Sequence, residues 1–84
     1  MIKIQVVGAG CANCRKLEEV CRQVVAENAV EAEVEKVTDI SRFADLGIMV
    51  TPGLVIDGEV KASGKVPQKE QISTWVMNAA AAAR

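Results

Sequence analysis

The first apolar pattern is an alternation. Ile2, Ile4 and Val6 are separated by Lys3 and Gln5, and Val7 extends the apolar end. A period of two predicts a strand over residues 2–7. The period then changes. From Cys11 or Ala12 to about Glu27, the apolar positions Cys14, Leu17, Cys21, Val24 and Val25 recur at helical spacing. Residues 30–37 return to alternation. Val30, Ala32 and Val34 share one face, while Glu31, Glu33 and Glu35 share the other. Three like charges on one face suit a solvated edge strand, because they discourage pairing with other chains.

The second half is more broken. Thr38 is placed to cap a short helix carrying Ile40, Phe43 and Leu46, with Gly47 at its C-terminal cap. Leu54 to Ile56 predicts a strand, Asp57-Gly58 a two-residue hairpin turn, and Glu59 to Ala62 the returning strand. Pro67 is expected in the first turn of a last helix, where a missing N–H does no harm. Ile72, Trp75, Val76, Ala79, Ala80 and Ala83 give that helix an apolar face, and Arg84 suits the dipole at its end. The predicted order is β-α-β-α-β-β-α, with the first two strands parallel and the last two an antiparallel hairpin.

Composition narrows the possibilities. At 84 residues, residues 1–84 are expected to form a single domain. Phe43 and Trp75 are the only aromatic residues, so the core must be aliphatic. The formal net charge is −1 without a basic run, which gives nucleic-acid binding no electrostatic support. No apolar run approaches the ~18 residues of a membrane span, and "MIKIQVV" does not resemble a signal peptide. A cytoplasmic location is the default expectation. There, a close cysteine pair more often means redox or metal chemistry than a structural disulfide.

The candidate chemistry lies in "VVGAGCANCRKLEEVC", which admits three readings. Gly8 and Gly10 match the start of a dinucleotide-binding G-x-G-x-x-G, but position 13 is Asn, whose side chain obstructs close helix–strand packing. A tight turn accounts for the two glycines better, and a chain of 84 residues cannot supply the usual two mononucleotide-binding halves. The C-x-x-C also suits Cu(I), which two thiolates can hold, in the manner of heavy-metal-associated copper chaperones. Those domains usually carry Met where this chain has Ala9, and they end on a strand. A closed zinc site needs four ligands, whereas this chain has three Cys and no His.

The redox reading accounts for the most. A C-x-x-C at a helix N-terminus holds its two Cα atoms within the ~4.4–6.8 Å that a disulfide needs. Unpaired helix N–H groups there lower a thiol pKa from ~8.5 into the range ~3.5–7.5. On this reading Cys11 is the nucleophile and Cys14 the resolving thiol. Arg15 and Lys16 either assist the thiolate or, for Arg15, pair with Glu18 or Glu19 along the helix. Cys21 lies two turns beyond Cys14, ~10 Å away, too far to bridge. It is expected to be an inert buried residue.

With "CANC" heading the first helix and "VTPGLVIDGEV" leading a hairpin, the chain resembles the thioredoxin superfamily, specifically its small members of glutaredoxin size. The resemblance spans nearly the whole chain. It implies a thioredoxin-like α/β fold, a four-stranded mixed sheet with helices on both faces. It implies a cis Thr51–Pro52 bond, with Pro52 facing the dithiol and Thr51 pairing its backbone with the substrate. Ala12 and Asn13, between the cysteines, belong to the same substrate-binding surface. The implied activity is protein-disulfide oxidoreduction through a Cys11–Cys14 dithiol/disulfide, with no other cofactor. Two departures bear on the partner. Ser63-Gly64-Lys65 replaces the Gly-Gly of glutaredoxins, and Gly8 and Ala9 occupy the region of their lysine. Both favour a thioredoxin-reductase-like flavoprotein over glutathione as electron source. The alternative is a Cu(I)-binding module, and a third class is an interaction domain with an idle C-x-x-C.

Overall fold

Two central strands organise the molecule. The computed structural model describes residues 1–82. Strand β1 (Ile2–Val7) pairs in parallel with β2 (Ala32–Val37) and antiparallel with β3 (Gly53–Ile56), and β3 pairs antiparallel with β4 (Glu59–Ser63). The order β2-β1-β3-β4 leaves β2 and β4 as edges, as the acidic stripe of β2 requires. The sheet is four-stranded and mixed, and the fold is thioredoxin-like. Helix α1 (Ala12–Asn28) links the parallel pair, and α2 (Lys69–Ala82) follows β4. The apolar role expected of Ala83 and the dipole role of Arg84 fall outside the described residues. No helix among the described residues is long and apolar enough to cross a membrane.

The pleat divides the core in two. Ile2, Ile4 and Val6 of β1 join Leu54, Ile56 and Ala62 on one face, where Leu17, Cys21 and Val24 of α1 and Ile72 and Val76 of α2 bury them. Each fully buried Val, Leu or Ile contributes about 1.5–3 kcal/mol. The two α-helices are also tied directly. Asn28 Nδ2 donates to the Val24 carbonyl at 2.9 Å and to Ser73 Oγ at 3.2 Å, and Lys69 pairs with Glu27 at 2.6 Å. The opposite face is thinner: Val7, Val37 and Val55 are covered by Ile48, with Phe43 and Leu46 packed against them.

Three expectations need correction. The short helix after Thr38 is two 3-10 turns, Ile40–Arg42 and Ala44–Leu46. Asp39, not Thr38, caps the first, accepting from Ser41 N at 3.0 Å and Ser41 Oγ at 2.7 Å. A spacing of three residues, as in Ile40, Phe43 and Leu46, suits the 3-10 period better than the α period. These turns cover one face of the sheet and both α-helices the other, so helical elements flank it on both sides, as expected. Strand β2 starts at Ala32 because the Val30 N–H is committed to the Val25 carbonyl in the cap of α1, where Ala29 is left-handed. Pro67 precedes α2 rather than entering it, since the Gln68 carbonyl accepts the first helical bonds, from Gln71 and Ile72.

Candidate active site: a dithiol at the head of the first helix

The site follows from strand register. Val7, the last residue of β1, pairs with Gly53, the first of β3. The chain leaving β1 therefore passes beside the chain entering β3. The first carries Gly8 into the cysteine loop, and the second carries Thr51-Pro52. Pro52 is buried and Thr51 exposed, and the peptide between them is cis. The approach to β3 is held by β4: Gly64 N–H donates to the Pro52 carbonyl at 2.8 Å, and Ser63 Oγ donates to the Val50 carbonyl at 3.0 Å.

Cys11 is the N-cap of α1. Its backbone is extended, its carbonyl accepts the first helical bond from Arg15 N–H at 3.0 Å, and its Sγ accepts from Cys14 N–H at 3.1 Å. A sulfur here does what a Ser or Asp oxygen does at other caps, taking up one of the unpaired donors of the first turn. Cys11 and Cys14 form a disulfide, with Cα atoms 5.0 Å apart. Cys11 is exposed and Cys14 is 5% exposed. Ala12 and Asn13 fill the exposed turn between them.

Arg15 takes neither of its predicted partners. Its Nη1 donates to the Gly10 carbonyl at 3.0 Å, folding the guanidinium back toward the loop that precedes Cys11. Among the described residues Glu18 pairs instead with Arg22 at 2.8 Å and Lys36 at 3.8 Å. Gly10 has a φ of 88°, a conformation disfavoured for other residues.

Cys21 is free and fully buried. Burial pushes its thiol up to about 12; Arg22 opposes that shift and Glu18 adds to it. Its burial is as the helical spacing of the sequence implied. Among the described residues no group of three or more His, Cys, Asp or Glu side chains could hold a metal ion.

A thioredoxin-domain family model matches residues 2–77. The chain belongs to the thioredoxin family. Its relatives include the thioredoxin of Methanothermobacter thermautotrophicus, 44% identical over 72 residues that cover 86% of this chain and 94% of the relative. The thioredoxin of Methanocaldococcus jannaschii is 36% identical over 72 residues, covering 86% and 83%. Membership and the Cys11–Cys14 pair together make this chain a thiol–disulfide oxidoreductase. The last described element is helix α2, whereas the copper-chaperone domains end on a strand.

One feature of the site was not legible from spacing. Gly8 looked like part of a turn, yet it is buried and outside the left-handed region. A Cβ placed on it would overlap Cys14 Sγ. The only available signal was a glycine directly after a strand and six residues ahead of the second cysteine.

Proposed function

We propose that Cys11 is the attacking thiolate and Cys14 the resolving thiol of an exchange with protein disulfides. The observation that carries this is the asymmetry of the pair: Cys11 is exposed and its Sγ takes an N–H bond at the helix start, while Cys14 is buried. An N–H donor stabilises a thiolate more than a thiol.

In the reducing direction, Cys11 S⁻ attacks one sulfur of a substrate disulfide. That disulfide breaks, one substrate thiolate leaves, and a mixed disulfide joins Cys11 to the substrate. Cys14, deprotonated, then attacks Cys11 Sγ. The mixed disulfide breaks, the second substrate thiolate leaves, and Cys11–Cys14 closes, so that two electrons have passed to the substrate. Thr51, Pro52, Ala12 and Asn13 border the attacking sulfur on this reading, with the Thr51 backbone pairing with the substrate chain. An exposed Cys11 suits a macromolecular substrate. By contrast, a groove of about 360 Å³ lined by Lys61, Val66, Pro67, Gln71 and Trp75 includes no cysteine.

Recharging needs two electrons per cycle. A thioredoxin-reductase-like flavoprotein is the proposed source, because the loop around Ser63-Gly64-Lys65 and the Gly8-Ala9 segment lack the glutathione-binding residues of glutaredoxins. The protein needs no cofactor beyond its disulfide on this account, and it works in the cytoplasm.

Cys14→Ser tests the assignment. Incubated with a disulfide-containing protein, the variant is expected to accumulate a covalent adduct through Cys11, released by dithiothreitol and visible by intact mass. Adducts through another cysteine, or none while the unsubstituted protein exchanges, would overturn the roles.

A further inference from the structure

We infer that Gly8 is a positioning residue for the exchange: the space left by its missing side chain is the seat of the Cys14 sulfur. The two glycines of the loop are glycine for opposite reasons. At Gly10 a Cβ would meet nothing within 4 Å, but φ is 88°, so conformation is what excludes a side chain. At Gly8 the backbone lies outside the left-handed region, so conformation excludes nothing. A Cβ there would overlap Cys14 Sγ, stand 3.1 Å from Cys14 Cβ and lie 3.7 Å from Thr51 Cβ.

The strand cannot easily step aside. Gly8 N–H donates to the Val37 carbonyl at 2.9 Å, continuing the β1–β2 ladder, and Val7 beside it is fully buried. The Cys14 sulfur is therefore held against a fixed backbone, within reach of Cys11. A methyl group at residue 8 takes that place. Either the sulfur or the ladder must move, and moving the sulfur penalises the closed disulfide.

This inference rests on the reading of Cys14 as the resolving thiol, and the test separates the two. In a dithiothreitol redox buffer, Gly8→Ala is expected to lower the equilibrium constant for Cys11–Cys14 closure by at least about tenfold, which raises the midpoint by about 30 mV. Cys11 adducts with a substrate protein should persist longer than in the unsubstituted chain. A general packing defect is distinguished by a double-mutant cycle on unfolding. If the sulfur is what residue 8 must avoid, Gly8→Ala costs the oxidised protein at least about tenfold more in folding equilibrium than it costs a Cys14→Ala background. Should Gly8→Ala alone not fold, recovery on adding Cys14→Ala supports the seat, and failure of the double variant overturns it. An unchanged midpoint, or equal penalties in both backgrounds, also overturns it. If the unsubstituted protein forms no reversible disulfide, the exchange reading fails, while the cycle still decides the steric claim.

Discussion

Helix α1 carries one sulfur at its N-cap, Cys11, and another nearly three turns later, Cys21, in opposite surroundings. At the start, Cys11 lies in solvent and its sulfur accepts an N–H that the helix cannot otherwise use. Cys21 lies inside the helix, its side chain is fully buried, and burial pushes the thiol up to about 12. Residue type is identical. What differs is position along the helix and depth in the core: an N–H bond and solvent at one sulfur, full burial at the other.

The largest expected effect tests that contrast by deletion. Cys11→Ser should reduce the rate of protein-disulfide reduction by on the order of 10³-fold or more, to the uncatalysed background. Cys21→Ala should leave it within about twofold. Both are read from turnover of a disulfide-containing protein with dithiothreitol as electron donor. A large loss in Cys21→Ala with the fold intact would break the comparison.

The next effect concerns stability at alkaline pH. Because the folded-state value for Cys21 is raised, its contribution to stability is fully present below the unfolded thiol value, about 9, and is lost as pH rises toward about 12. Over that window the unsubstituted protein should lose up to about 1.4 kcal/mol per pH unit more than Cys21→Ala does. Denaturant titrations of both proteins from pH 8 to 11 would show it, and parallel curves would contradict it.

The smallest effect carries the same logic in the other direction. Glu35 is held below the ordinary carboxylate value of 4.5, first by the bond from Gln5 Nε2 at 3.0 Å and also by Arg42 and Lys3, against a desolvation penalty. A depressed value means stability that is present above the unfolded value and lost as pH falls through the folded one. Glu35 is partly solvated, so Glu35→Gln should cost less than about 1 kcal/mol at neutral pH. That difference should shrink as acid protonates Glu35 in the folded protein. A pH-independent difference between the two unfolding curves would show that the carboxylate charge is not the cause.

Much of this was legible in the residues themselves. The alternation of Ile2, Ile4 and Val6, the 3.6-residue recurrence from Cys14 to Val24 and the Asp57-Gly58 turn each have one dominant local solution, and the structure adopts it. In the hairpin Asp57 has φ 49° and Gly58 φ 84°, as a tight two-residue turn needs. The C-x-x-C pointed to the head of the first helix by residue type and spacing, whereas Thr51 and Pro52 entered only through the family resemblance. What was not legible depended on neighbours distant in sequence or on competition between local partners. Asp39 outcompetes Thr38 as a cap because its carboxylate takes two bonds from Ser41. Arg15 forgoes two glutamates for a carbonyl five residues back. Gly8 is explained only by a sulfur that the fold brings against it.

The most direct test is a redox titration of the metal-free protein, with alkylation and mass readout of all three cysteines. The account predicts one reversible two-electron transition confined to Cys11 and Cys14, with Cys21 remaining a thiol at every potential. No reversible Cys11–Cys14 disulfide, or participation of Cys21 in the folded protein, would contradict it.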